Sequence, residues 1–212
     1  VTVAMLTGSL SLVRIAEAQQ GSLLDWNVCS PSGLAGVLLF LTAAVAAANR
    51  SPFDIPEGES EIIAGHMVEY SGFKYALFFM GEYLGMFAVS GLAITLLLGG
   101  YHAPFGFLGW VPSYLWFFLK LAGLIALFIW LRGTLPRMRV DQLMNFAWKF
   151  MLPMALLNIF VAALWHLSAA WALPGGSLSR WLLCLALLGV PYVLLGRAVA
   201  PTTGRRTYRF AD

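Results

Sequence analysis

Long apolar runs separated by short polar segments dominate the hydrophobic pattern of this chain. The runs are continuous rather than alternating, which is typical of helices that cross a bilayer and not of strands in an outer-membrane barrel. A crossing helix needs about 20 such residues. The pattern predicts spans at Ser32–Ala48, Tyr75–Gly99, Ser113–Leu131, Phe150–Trp171 and Trp181–Gly196.

The first residues, Val1–Val13, are also apolar and open without a methionine or a basic leader. We interpret this run as the remaining part of one more membrane helix, and the chain as an N-terminally truncated fragment. The expected fold class is all-α: a single integral membrane domain over 1–212, built as a polytopic transmembrane bundle of about six helices with the first one truncated.

The composition supports an integral membrane protein and limits the kinds of functional site that the chain can carry. Hydrophobic residues make up 60% of the chain and charged residues 11%, whereas soluble domains are about 25% charged. The cysteines and histidines lack the spacing of metal ligands, so no metal site is expected. Phosphate-binding and nucleophile motifs do not occur in the sequence, so the chain by itself carries no complete active site.

Positive charge is unevenly divided between the two sides of the predicted topology. One side receives an acidic loop at 50–74, a basic loop at 132–149 and a basic tail at 197–212, which together hold ten of the thirteen Lys and Arg residues. The other side receives Arg14 and Arg180. Because cytoplasmic loops are enriched in Lys and Arg, these three segments and the C-terminus are predicted to be cytoplasmic. The charge therefore reports membrane orientation, and no nucleic-acid partner is expected.

The segment from Ser51 to Glu82 is acidic where its predicted side should be basic. Between Arg50 and Lys74, five acids outnumber two cations. Closely spaced carboxylates are expected to retain some protons at neutral pH, because each ionised group disfavours ionisation of its neighbours. A solvated acidic surface loop is the simpler alternative, although apolar residues between the acids favour packing. The candidate proton-coupling acids are Asp54, Glu57, Glu59, Glu61, Glu69 and Glu82.

Two of the candidate charges lie inside predicted spans, where an unpaired charge is costly. Glu82 lies about two turns into one span, and Lys120 lies within the next. Either the two side chains pair with each other as a structural ion pair, or they act as relay groups in proton coupling. The sequence leaves both alternatives open.

Two long motifs resemble a known family. NRSPFDIPEGESEIIAGHMVEYSGFKYALFFMGEY and RGTLPRMRVDQLMNFAWKFMLP are similar to the two signatures of the quinone-tunnel membrane subunit, the H-type subunit, of NADH-quinone oxidoreductase (respiratory complex I). The resemblance covers essentially the whole chain. It departs at Gly58-Glu59-Ser60, where the family more often has PEAE; the acids are kept, but the helical turn is looser.

The resemblance implies a function. The family subunit encloses part of the chamber in which quinone (ubiquinone or menaquinone) is reduced, and its acids couple that reduction to proton pumping. FMN and iron–sulfur clusters belong to partner subunits. The expected partners are the hydrophilic quinone-reducing arm, the small membrane subunits and membrane lipid, in the inner (plasma) membrane of a bacterium. The implied chamber and docking residues are Arg50, Arg132, Arg137 and Arg139.

Three other functions compete with this one. A homologous membrane subunit of a membrane-bound hydrogenase or of a deazaflavin-linked quinone reductase would share the same motifs, because partner subunits bind the electron donor. A proton-coupled secondary transporter would carry symmetric, broken helices. A purely structural anchor would use its carboxylates only to bind neighbouring subunits.

Overall fold

Helices and connecting turns form the described part of the computed structural model, which comprises residues 1–54, 69–105, 110–168 and 176–199. No strand occurs in these residues, and the all-α fold class is confirmed. The α-helices are α1 Thr2–Thr7, α2 Leu12–Glu17, α3 Pro31–Ala47, α4 Phe73–Leu97, α5 Ser113–Thr134, α6 Val140–Phe146, α7 Leu152–Leu167 and α8 Gly176–Val199.

Four helical stretches in the described residues are long and apolar enough to cross a membrane: Phe73–Leu97, Ser113–Thr134, Val140–Leu167 and Ser179–Arg197. The apolar helix α3 is shorter, with 17 residues, which is at the lower limit for a span. Helices therefore form at every one of the five complete spans that the sequence predicts, with boundaries shifted by a few residues at most ends.

The first apolar run differs from its prediction. It does not form one helix, because α1 ends at Gly8, whose φ of 68° is left-handed and whose N–H donates to the Ala4 carbonyl at 2.8 Å. Glycine adopts this conformation without a Cβ clash, so it is a common helix terminator. A second short helix, α2, follows after the break.

The basic segment at 132–149, predicted to be a loop, is largely helical. α5 continues to Thr134, and α6 begins at Val140 and runs through a π-helical turn at Ala147–Met151 into α7. Leu143 and Phe146 pack against a buried cluster, and this apolar spacing explains why the helix starts early. The π turn lies just before Pro153, which cannot donate to the carbonyl four residues earlier.

The helix ends gather at two opposite ends of the bundle. Ser51 Oγ donates to the Leu135 carbonyl at 3.2 Å, and the Met138 N–H donates to the Pro52 carbonyl at 2.9 Å. We call this the arginine-rich end, because Arg50, Arg132, Arg137 and Arg139 lie there. At the other end, Gln19 contacts the last turn of α4, and we call it the Gln19 end.

Candidate functional site

The two polar motifs meet at the arginine-rich end. Besides the two backbone contacts, Arg137 Nη2 lies 3.3 Å from Asp54 Oδ2 and forms an ion pair with it. The Asp54 side chain is 13% exposed and that of Arg137 is 43% exposed. The start of the acidic segment is therefore held against the loop between α5 and α6.

Arg50 is the buried charge of this junction, with 7% of its surface exposed. Its Cζ lies 4.6 Å from the centroid of the Tyr83 ring and 5.8 Å from that of Phe79. Aromatic faces stabilise a cation through their electron-rich π systems. Arg50 Nη2 has no hydrogen-bond partner among the described residues. A buried N–H donor of a guanidinium is thus available for an acceptor group.

Glu82 lies on α4 close to the same two rings. It precedes Tyr83 directly and follows Phe79 by three residues, and its side chain is partly buried. No hydrogen bond or ion pair of Glu82 occurs within the described residues. Glu69 is exposed before α4. Glu57, Glu59 and Glu61 lie outside the described residues.

The ion pair between Glu82 and Lys120, one of the two alternatives that the sequence left open, does not form in this structure. Lys120 Nζ donates to the carbonyls of Leu98, Gly100 and His102 at 2.7, 3.0 and 2.8 Å. Leu98 follows Glu82 by sixteen residues, which is about 24 Å along a helix. Helices α4 and α5 run in opposite directions, so a residue near the start of α5 meets the end of α4 and not its beginning.

The position of Lys120 has a clear structural reason. The last carbonyls of a helix lack intrahelical donors and carry partial negative charge, so a cation there is favourable. The ammonium also lies over the Trp26 ring, 4.1 Å from its centroid. Lys120 therefore caps the end of α4 at the Gln19 end of the bundle.

Arg132, Arg137 and Arg139 are all exposed at the arginine-rich end. The backbone N–H of Arg139 donates to Gln142 Oε1 at 3.2 Å, which caps the start of α6. The three side chains give this end an accessible positive rim around the junction.

Gln19 organises a polar network that the hydrophobic pattern did not predict. It is fully buried. Its Nε2 donates to the carbonyls of Ile15, Thr95 and Leu96, and its Oε1 accepts from the N–H groups of Asn27 and Gly99. Asn27 Nδ2 also donates to the Leu96 carbonyl at 2.8 Å. The only sequence signal is a cluster of amide side chains in a polar segment between two apolar runs.

His102 lies beside this network, in the connection between α4 and α5. Burial lowers the pKa of His102 from its ordinary value of 6.5, and the neighbouring Lys120 charge lowers the pKa further. The Ala16 carbonyl and the Glu17 carboxylate oppose this effect. The side chain is therefore held mainly in its neutral form near neutral pH.

Comparisons with known proteins agree on one family. The family model described as NADH dehydrogenase matches residues 1–163. The chain is 52% identical over 162 residues to the H-type subunit of NADH-quinone oxidoreductase from Anoxybacillus flavithermus, covering 76% of this chain and 47% of that protein.

Two further relatives with the same name show the same coverage pattern. Identity to the protein of Geobacillus kaustophilus is 48% over 161 residues, covering 76% of this chain and 46% of the relative. Identity to that of Burkholderia vietnamiensis is 43% over 176 residues, covering 79% and 49%. The chain thus spans about half the length of these relatives. Helix α8 begins after the last residue that the family model matches.

Proposed function

The chain belongs to the NADH dehydrogenase family, and on this basis we propose that it is a membrane subunit of a proton-translocating NADH:quinone oxidoreductase. In this proposal it contributes part of a quinone passage and the acidic path that couples quinone reduction to proton pumping. Ubiquinone or menaquinone is the substrate. The subunits of the hydrophilic arm carry FMN and the iron–sulfur clusters, and the small membrane subunits and lipid surround this chain.

The observation that carries the proposal is the junction at the arginine-rich end. Asp54, the first acid of the acidic segment, pairs with Arg137 of the second motif. The buried Arg50 beside them has an N–H donor without an acceptor among the described residues. Buried donors normally have acceptors, so this arrangement favours a site that receives a polar group from outside the described residues.

The chemistry of quinone reduction suits this arrangement. Reduction of a quinone to a quinol consumes electrons and protons together, and negative charge develops on the headgroup oxygens. The guanidinium of Arg50 can stabilise that charge. Glu82 lies next to the ring that holds Arg50, and the acids from Asp54 to Glu69 precede it along the chain. A change of charge at the headgroup would alter proton occupancy along these carboxylates.

The names of the relatives favour an NADH-linked complex over a membrane-bound hydrogenase or a deazaflavin-linked reductase. The positive-inside rule places the arginine-rich end on the cytoplasmic side of a bacterial inner membrane in this proposal. There the exposed arginines Arg132, Arg137 and Arg139 can dock the hydrophilic arm.

The test is to replace Glu57 and Glu61 by Gln in the intact membrane complex. We expect proton pumping driven by NADH oxidation to fall strongly while the complex remains assembled, because the amides cannot exchange protons. Glu17→Gln, which removes an exposed acid at the Gln19 end, is the matched control and should leave pumping unchanged. Unchanged quinone reduction and pumping in the Glu57 and Glu61 variants would contradict the coupling role and support the structural anchor.

A further inference from the structure

A long apolar groove lies between α3, the continuous helix α6–α7 and α8. Its volume is ≈ 920 Å³, near the upper end of the roughly 300–1,000 Å³ typical of ligand pockets. The walls are mostly aliphatic and aromatic, with Leu34 and Leu38 from α3, Phe146 from α6, and Leu188 and Tyr192 from α8. The groove therefore suits an apolar ligand.

The groove is long enough to hold an acyl chain of a lipid. On α3 its lining runs from Pro31 to Thr42, and on α8 from Leu185 to Gly196. Each stretch advances eleven residues along its helix, about 16 Å. The hydrocarbon core of a membrane is about 30 Å thick, so one leaflet is about 15 Å. Each stretch is therefore long enough to lie along an acyl chain; the α3 stretch begins at the Gln19 end, and the α8 stretch ends towards the arginine-rich end.

The chemistry of the lining changes at the arginine-rich end. Gln142, Asn145 and Lys149 line the groove there, and Arg197 directly follows the lining residue Gly196. Lys149 and Arg197 are exposed, and neither forms an ion pair with another described residue. Asp141, the nearest acid along the helix, lies two turns before Lys149. Two cations and two amides thus stand where a lipid headgroup would lie.

We propose that this groove binds an anionic phospholipid. One of its acyl chains lies between α3 and α8, and its phosphate accepts hydrogen bonds from Lys149 and Arg197, with the amides of Gln142 and Asn145 beside it. Cations next to a membrane attract anionic lipid headgroups, and long cationic side chains extend naturally to the interface. One wall of the site is α8, which lies after residue 163, the last residue that the family model matches.

Helix α8 is firmly attached where it forms this wall. Arg180 Nε donates to Ser168 Oγ at 2.9 Å, and Arg180 Nη2 donates to the Trp165 carbonyl at 3.0 Å. Nearer the arginine-rich end, the Phe150 and Tyr192 rings meet edge to face, with centroids 5.3 Å apart. These contacts hold α8 against the α6–α7 helix, so one wall of the groove is fixed at both of its ends.

The experiment is native mass spectrometry of the full chain in detergent, with either phosphatidylglycerol or phosphatidylcholine added. We expect phosphatidylglycerol to be retained more tightly, by about fivefold for each cation. The double variant Lys149→Gln, Arg197→Gln should lower phosphatidylglycerol retention to the level of phosphatidylcholine. Lys74→Gln, which removes an exposed cation outside the groove, should keep the preference.

A second pair of variants tests the apolar part of the site. Gly189 lines the groove, and a Cβ there would meet no atom within 4 Å, so Gly189→Phe should fill the groove without disturbing the fold and reduce retention of both lipids. Gly123→Phe on α5, where a Cβ also meets open space, should not. Equal retention of the two lipids by the unmodified chain, or full retention by Gly189→Phe, would overturn the proposal. Two other results would also overturn it. One is that an added quinone is retained more tightly than phosphatidylglycerol and that its retention is unchanged in the Lys149→Gln, Arg197→Gln variant. The other is that the chain forms dimers that Gly189→Phe dissociates.

Discussion

The guanidinium of Arg50 lies over the ring of Tyr83, with 4.6 Å between Cζ and the ring centroid, and this contact joins the residues after α3 to α4. The Arg50 side chain is almost fully buried, so the aromatic face replaces part of its hydration. Arg50 combines charge, burial and a donor that has no acceptor in the described part of the chain, which makes it the centre of the junction between the two motifs.

Replacing Tyr83 by Leu should lower the free energy of unfolding by about 1 kcal/mol, because a buried cation loses its aromatic face. Tyr83→Phe keeps the face and is the matched control, with an expected change below about 0.5 kcal/mol. Thermal unfolding in detergent measures both. Equal losses in the two variants would show that the phenolic hydroxyl, and not the ring face, is what matters.

Asp54→Asn removes the carboxylate that pairs with Arg137. Because the Arg137 side chain is 43% exposed, the pair is partly screened by solvent, and the stability loss should stay below about 1 kcal/mol. The quinone reductase activity of the assembled complex should fall by more than the loss of folded protein expected from this change in stability. A large drop in unfolding temperature with normal activity of the remaining complex would instead assign Asp54 a structural role alone.

Lys120→Met tests whether this lysine caps a helix or relays protons. Three carbonyls would lose a charged donor, and we expect the free energy of unfolding to fall by about 2–3 kcal/mol. Lys74→Met, at an exposed position, should change it by less than about 0.5 kcal/mol. If Lys120→Met left the stability unchanged but abolished pumping, the relay alternative would be correct.

Gln19→Leu should destabilise the Gln19 end by about 2–4 kcal/mol, since the N–H groups of Asn27 and Gly99 would lose their buried acceptor. Gln20→Leu is the control, because the neighbouring glutamine is exposed. Hydrogen exchange of the last turn of α4, together with thermal unfolding, reports the effect. Similar behaviour of the two variants would show that the network contributes little.

His102 should make stability depend on pH. Its pKa is lower in the folded protein than in the unfolded chain, because burial and the Lys120 charge disfavour the protonated form. Protonation therefore favours unfolding. The histidine has no effect above its unfolded pKa, about 6.5, and stability should fall as the pH drops below that value. His102→Gln should flatten this part of the profile of unfolding temperature against pH, and an unchanged profile would contradict the assignment.

The sequence by itself determined the class of the protein and the approximate positions of its helices. Whether a segment partitions into a bilayer depends on the summed transfer free energies of neighbouring residues, and α3, α4 and α5 therefore begin within two residues of their predicted starts. The two motifs also identified the family from local sequence alone. The unequal division of Lys and Arg between the two sides of the membrane could also be predicted, because the order of the spans along the chain decides which side each loop occupies.

Tertiary structure decided which residues become partners. An ion pair between Glu82 and Lys120 was one of two alternatives that the sequence left open, because both are costly charges in spans. Antiparallel packing brings Lys120 to the end of α4 and leaves Glu82 near its beginning. The early start of α6, the buried Gln19 and the groove along α8 depend on which helices pack together. Such contacts join residues far apart in the chain, and hydrophobic periodicity contains no information about them.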